Sequence, residues 1–319
     1  MNHICIAPFS CDDIDGIINL WNRELPIDSI NKNLFITKIL LDEHFDKNNF
    51  LVAKKNGSLV GFVVGASVKE TIYKDVDPEN IRCWITSMAV SEDYRGKGLG
   101  KKLLSGLLEY FRNCGKKECY IATYPYGYFV PGLDTKLYPD AINVFKHFGF
   151  NDVHNPLSMD ANIVLLDMGK EFRNKIEKLK VEGIEIISFE QKYILSYLDF
   201  MRNMTSDWYR VARHNLMDMT RNLFNPDQIT IAVHNGEVIG YCQFEGSHFG
   251  PFGVSDKYQG KGIGTILLGR TLEKMRMYGY HDAWVLWTDD VAAKVYSKFG
   301  FKETRRFTVL KTTVFDSIV

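Results

Sequence analysis

The chain carries one long motif twice. Residues 90–104 read VSEDYRGKGLGKKLL, and residues 254–268 read VSDKYQGKGIGTILL. The register holds beyond the motif, because Gly115 and Gly279 each stand fifteen positions after the last loop glycine, Gly100 and Gly264. Upstream, VAKKNGSLVGF (52–62) pairs with IAVHNGEVIGY (231–241); downstream, VFKHFGF (144–150) pairs with VYSKFGF (295–301). Solenoid units recur at roughly 20–50 residues and need several copies, so a single long repetition means a duplicated domain. A length of 319 residues accommodates two domains of ordinary size. The repeat predicts a first domain over 1–168, a charged, solvent-facing helical linker over 169–182 and a second domain over 183–319.

Each copy reads as alternating strands and helices. In the first, His3–Pro8 is a short strand, and Asp12–Glu24 and Leu34–His44 have helical apolar spacing. Asn56-Gly57 and Asn235-Gly236 each join two strand-like runs, the residue pair a tight hairpin favours because both positions need positive φ. Trp84–Val90 is a strand. A helix over Leu99–Asn113 puts Leu99, Leu103, Leu104, Leu107 and Phe111 on one apolar face. Gly115 marks its left-handed stop. Cys119–Thr123 is a strand and a further helix ends at Phe148. The first copy has 15 additional residues around Lys69–Asn80 and about 13 more in YPYGYFVPGLDTKLYP (124–139).

Composition excludes several classes of function. Lys plus Arg and Asp plus Glu both number 39, so no net positive field exists for nucleic acid or an anionic membrane. No run of about 18 apolar residues suggests a membrane helix, and the polar start MNHICIAPFSCDDID lacks a secretion-signal pattern. The six cysteines show no CxxC pair and the eight histidines no paired-ligand spacing, which predicts reduced thiols, a cytoplasmic chain and no metal site.

RGKGLGK and QGKGIGT each lie between a strand and an apolar-faced helix. Alternate glycines uncover main-chain N–H groups, and the next helix adds its own free donors and dipole, which together suit a pyrophosphate. Neither loop is GxxxxGK[ST] or GxGxxG. Both fit [RQ]xxGx[GA], at Arg95, Gly98, Gly100 and at Gln259, Gly262, Gly264. That pattern resembles the acyl-CoA loop of the GCN5-related N-acetyltransferase (GNAT) superfamily. The tandem layout is similar to that of two-domain members such as mycothiol synthase.

The resemblance implies an α/β (α+β) chain of two GNAT folds, each a mixed, mostly antiparallel sheet flanked by helices, with strands four and five splayed around the cofactor. It implies that acetyl-CoA is held by Met88, Ala89, Val90, Arg95, Gly96, Lys97, Gly98, Leu99, Gly100 and Lys101 in one copy. Phe252, Gly253, Val254, Gln259, Gly260, Lys261, Gly262, Ile263, Gly264 and Thr265 hold it in the other. Pro251 fits the family's bulge on strand four. The family's late-helix pattern NxxAxxxYxxxGF maps onto Asp289, Ala292, Tyr296 and Gly300-Phe301, making Tyr296 the general acid and leaving aspartate where the family has asparagine. The first copy has Phe145 in place of that tyrosine, which suggests a domain that binds CoA without transferring; Tyr126, Tyr128 or Tyr138 of the inserted loop could replace the hydroxyl. Glu245 or His248, read on strand four, is the candidate base. Asp207, Trp208, Tyr209 and Arg213 are candidates for the acceptor wall. The implied activity is acetyl transfer from acetyl-CoA to a primary amine of a small molecule or peptide. The alternatives are O-acylation, transfer of a longer acyl chain, or a CoA-binding sensor without turnover.

Overall fold

Both Asn-Gly pairs turn as their chemistry dictates: φ is 50° and 81° at Asn56-Gly57, and 52° and 81° at Asn235-Gly236. The structure, a computed structural model, describes residues 4–69 and 78–313; His3, most of the 69–80 insertion and the side chains at 78, 79, 206 and 207 lie outside that description.

The first half runs through β1 (Ile4–Pro8), α1 (Ile14–Glu24), α2 (Lys32–Phe35), β2 (Phe50–Lys55), β3 (Ser58–Ala66), β4 (Arg82–Val90), α3 (Leu99–Asn113), β5 (Glu118–Ile121), β6 (Leu133–Asp134), α4 (Pro139–His147), β7 (Asn151–His154) and β8 (Leu157–Asn162). After α5 (Gly169–Val181) come β9 (Ile184–Ser188), α6 (Ile194–Met204), α7 (Ser206–Thr220), β10 (Ile229–His234), β11 (Glu237–Glu245), β12 (His248–Val254), α8 (Ile263–Met277), β13 (Asp282–Thr288), α9 (Asp290–Ser297) and β14 (Lys302–Thr313).

The helix expected over Leu34–His44 is shorter. Asn31 caps α2 by accepting from Leu34 N–H at 2.8 Å, and α2 passes into a π-turn over Ile36–Leu40. There Asp42 accepts from His44 N–H at 2.7 Å, a local side-chain bond that competes with the helix ladder.

The chain divides into two compact units, Met1–Pro156 with Arg306–Val319, and Leu157–Arg305. The packing units therefore depart from the halves of the repeat: each sheet is completed by a strand encoded in the other half. The first unit has the order β1-β2-β3-β4-β5-β14, and the second β9-β10-β11-β12-β13-β8. Pairing is antiparallel along both orders except at β4–β5 and β12–β13, which are parallel. β8 docks on β13 from Asp282↔Asn162 to Thr288↔Leu157, and the end of β14 docks on β5 through Lys311↔Tyr120 and Thr313↔Glu118.

A charge cluster holds that last strand. Lys311 Nζ lies 2.6 Å from Glu118 Oε1, Tyr120 donates its hydroxyl to Glu118 Oε2 at 3.2 Å, and Arg82 Nε lies 3.4 Å away. Burial alone would raise the Glu118 pKa, but its bonds and charge contacts with Lys311, Tyr120 and Arg82 outweigh that and hold it below the usual glutamate range. A carboxylate with a depressed folded pKa stabilises above its unfolded pKa, about 4.3, and loses that contribution as pH falls through the folded value. Glu118→Gln is thus expected to lower the thermal midpoint at neutral pH, with the gap to the parent closing as acid protonates Glu118. A gap unchanged from neutral pH to pH 3 in thermal melts contradicts this account.

In the first unit α3 buries Leu99, Leu103, Leu104, Leu107, Leu108 and Phe111 on one sheet face, while α1 and α2 bury Ile17, Leu20, Trp21 and Phe35 on the other. The second unit repeats the plan, with α8 on one face and α6 and α7 on the other. The solvent-facing linker is corrected by this packing. α5 buries Phe172 and Leu179 in the α8 cluster, two residues seven apart and so on one stripe of an otherwise charged helix. It touches α8 at Gly269, where a Cβ would stand 2.3 Å from Phe172 Cε2. Gly269→Ala should cost about 1–3 kcal/mol by overpacking, read by denaturant titration; a neutral result would mean that α5 is not part of the core. No helix among the described residues is long and apolar enough to cross a membrane.

Candidate active site

The two parallel pairs come apart as they approach the glycine loops. β4 and β5 pair from Arg82↔Glu118 to Ile85↔Ile121. β5 then ends, earlier than the expected Thr123, because Ala122 and Thr123 turn left-handed with φ of 58° and 53°. Thr86–Val90 continues without a β5 partner. In the second unit β12 meets β13 at His248↔Trp284, and Phe249–Val254 runs on without a β13 partner. Each fourth strand also bulges on its other side. The β3–β4 register skips Thr86 between Val64↔Ser87 and Gly65↔Ile85, and the β11–β12 register shifts between Cys242↔Phe252 and Phe244↔Phe249, around Gly250 and Pro251. A bulge and an unpaired edge together present main-chain groups to an extended ligand.

The loops follow directly. Gly98 and Gly262, the N-cap residues of α3 and α8, have φ of 78° and 84°, a region that only glycine enters without strain. The space a Cβ would occupy is open at Gly96, Gly98, Gly260 and Gly262. Gly100 and Gly264 are small for a different reason: a Cβ would stand 3.2 Å from Met88 Cε in one unit and 3.1 Å from Phe252 Cζ in the other. Lys102 N–H bonds Gly98 O at 3.1 Å and Ile266 N–H bonds Gly262 O at 3.2 Å. The N–H groups of Leu99, Gly100 and Lys101, and of Ile263, Gly264 and Thr265, precede that ladder, as in any first turn. These donors with open space above them fit a pyrophosphate.

Side chains of the loops brace rather than reach. Arg95 Nε donates to Val90 O at 3.0 Å, and its guanidinium also pairs with Glu24. Gln259 Nε2 donates to Asp256 Oδ1 at 2.8 Å and stands 3.5 Å from Val254 O. The first motif position thus ties the loop to the end of the fourth strand in both units. Lys97 Nζ turns back to Asp93 O at 2.6 Å, and Lys261 Nζ lies 3.8 Å from Glu182.

Tyr296 is 4% exposed at the β12–β13 opening, edge-on to Phe249 at 5.1 Å and near Phe252 and Phe301 at 5.9 Å each. Burial raises its pKa well above the usual tyrosine value, so the hydroxyl keeps its proton. It lies near Thr288, whose side chain offsets a smaller part of that rise. Asp289 is the α9 N-cap, accepting from Val291 N–H at 2.8 Å and Ala292 N–H at 2.7 Å; its carboxylate is used by the helix. Phe145 is buried against Phe150 at 5.4 Å.

The base candidates fall on different strands. Glu245 ends β11, exposed, and His248 begins β12; they form the closing pair of a hairpin around Gly246, whose φ is 59°. The Glu-Gly-Ser-His sequence is the turn signal that separates them. His248 packs on Trp284 at 4.4 Å, and burial pushes its pKa down to about 4, leaving it neutral and weakly basic.

The acceptor candidates do not converge. Trp208 covers Gly253 of β12, where a Cβ would stand 2.8 Å from its ring. Tyr209 lies under the Arg202 guanidinium and accepts from it at 3.0 Å, and Arg213 is exposed; the Asp207 side chain is outside the described residues.

Sequence reasoning missed a narrow cleft in the first unit, with an interior of about 20 Å³. It opens at the Thr86 bulge and is lined by Lys38, Asp42, His44, Tyr124 and Phe129. Tyr124 donates its hydroxyl to Asp42 Oδ1 at 3.0 Å across 82 residues, a separation that leaves no local signal.

Residues 14–128 match the Acetyltransferase (GNAT) family and residues 225–303 the Acetyltransferase (GNAT) domain. The chain belongs to the GNAT acetyltransferase family, with two GNAT domains in tandem. That family uses acyl-CoA. Over 95 residues the chain is 32% identical to the spermine/spermidine N(1)-acetyltransferase of Bacillus subtilis (strain 168), covering 30% of this chain and 53% of that protein. The chain thus spans about half the length of the curated relatives it matches. Among solved structures, the GCN5-related glucosamine N-acetyltransferase region of a fungal multi-domain GH3 beta-N-acetylglucosaminidase superposes with a TM-score of 0.80 at 18% identity, covering 98% of this chain and 38% of that one. A tandem GNAT protein from the clavulanic acid biosynthesis pathway gives 0.61 at 14% identity, covering 98% and 99%. At these identities the likeness speaks for the fold.

Proposed function

We infer that the chain is an acetyl-CoA-dependent N-acetyltransferase acting on a primary amine of a small molecule or peptide. The observation that carries this reading is one geometry occurring twice: a nest of main-chain N–H groups at the start of α3 and α8, facing a bulged fourth strand whose edge the fifth strand leaves unpaired. In the second unit the N–H groups of Gly260 to Thr265 hold the pyrophosphate, and Phe252–Val254 pairs with the pantetheine arm as an added strand would. The first unit offers Gly96 to Lys101 and Met88–Val90 in the same roles. Bound acetyl-CoA supplies an activated acetyl carbonyl. Main-chain N–H groups of the fourth strand stabilise the oxygen of that carbonyl as charge develops, and Tyr296 protonates the departing sulfur.

The test follows acetyl-CoA consumption with an amine panel that includes spermidine, since a relative is named for polyamine acetylation, together with glucosamine and a lysine-containing peptide. Turnover that falls in Tyr296→Phe supports the reading. Tight acetyl-CoA binding without turnover on any amine would instead make both units CoA sensors.

A further inference from the structure

We propose that the first unit is a second transfer centre whose proton donor is Tyr124, held by Asp42, in place of the hydroxyl missing at Phe145. The proposal rests on the acetyltransferase reading above and concerns a different unit from Tyr296. Its basis is where the cleft lies. One wall is Thr86, the bulged residue of β4, and the other is Tyr124, three positions past the end of β5. These are the two strands whose separation creates the cofactor opening, so the cleft meets the place where the acetyl group would emerge.

The polar groups there are organised. Asp42 Oδ1 accepts from Tyr124 at 3.0 Å and from His44 N–H at 2.7 Å, which orients the carboxylate. Tyr124 is 3% exposed and its ring packs on Trp84 at 5.3 Å and Tyr126 at 5.5 Å, which fixes its direction. Of the tyrosines considered from sequence, Tyr138 donates its hydroxyl to Asp28 Oδ2 at 3.0 Å, Tyr126 packs its ring on His44 at 4.4 Å, and the main-chain carbonyl of Tyr128 accepts from Lys38 at 2.6 Å. In the second unit the position matching Val64 of the cleft is Gln243, buried and accepting from Asn215 at 2.5 Å.

The step balances with these two groups. The lone pair of a neutral primary amine forms the N–C bond as the C–S bond breaks, and the sulfur leaves with the bonding pair. The Tyr124 hydroxyl leaves its bond to Asp42 and gives its proton to that sulfur. Asp42 takes the proton released by the new amide nitrogen and returns it to the Tyr124 phenolate, so the pair is regenerated.

The experiment measures thiol release from acetyl-CoA with the same three amines, in the parent, Tyr296→Phe, Tyr124→Phe/Tyr296→Phe and Asp42→Asn/Tyr296→Phe. The expected result is residual turnover in Tyr296→Phe that falls about a hundredfold or more on adding either second substitution, in keeping with the 10²–10⁴ range for a proton donor. The KM for acetyl-CoA should stay unchanged and the thermal midpoint should fall by no more than the loss of one hydrogen bond, a split that loss of packing would not give. Parent turnover with no residual activity in Tyr296→Phe, or residual activity insensitive to both substitutions, overturns the second centre and leaves the acetyltransferase reading standing. No consumption by any form with any amine overturns both.

Discussion

In a chain already carrying Tyr124→Phe, the further change Tyr296→Phe is expected to lower kcat by about 10²–10⁴ while leaving the KM for acetyl-CoA nearly unchanged. The reason lies in what the substitution removes. The ring stays in its cluster with Phe249, Phe252 and Phe301, so packing is conserved and only the hydroxyl goes. Because burial keeps that hydroxyl protonated, it is available as a donor across the neutral range. Stability should change by no more than about 1 kcal/mol, the net worth of one hydrogen-bonding group. Initial rates at saturating acetyl-CoA decide the matter, and a kcat within twofold of the Tyr124→Phe chain would remove Tyr296 from the chemistry.

Gly98→Val and Gly262→Val should each abolish one of two acetyl-CoA sites, and the double variant both. At φ of 78° and 84°, a β-branched residue is a strong outlier; even an ordinary L-residue pays roughly 1–2 kcal/mol in this region. A Cβ meets nothing within 4 Å at either position, so the loss comes from backbone relaxation turning the N–H groups aside, not from a clash. Isothermal titration gives the count directly: two equivalents per chain for the parent, one for each single variant, none for the pair. Two undiminished equivalents in the double variant would contradict the cradle. Retained thermal midpoints would show that the loops, not the cores, had changed.

Much of the local structure was legible because its causes are local. The Asn-Gly turns need positive φ at two adjacent residues, and α3 begins and ends where Leu99 and Asn113 were expected, bounded by glycines whose φ is 78° at Gly98 and 74° at Gly115. The loop spacing could be read in both copies for the same reason. Other features had weak signals. Phe172 and Leu179 are only two residues within a charged run, and Gly246 splits Glu245 from His248 through a turn that resembles an uninterrupted strand in its flanking residues.

What the sequence by itself determined was the duplication, the Asn-Gly turns and the glycine spacing of the two loops, since each depends on residue type at short fixed spacing. Tertiary structure alone decided that β8 completes the second unit and β14 the first, because side-chain alternation marks a strand without naming its partner. It alone brought Asp42 to Tyr124 beside the Thr86 bulge. That meeting depends on the pairing of β3, β4 and β5 over long sequence separations, and no local preference along the chain encodes it.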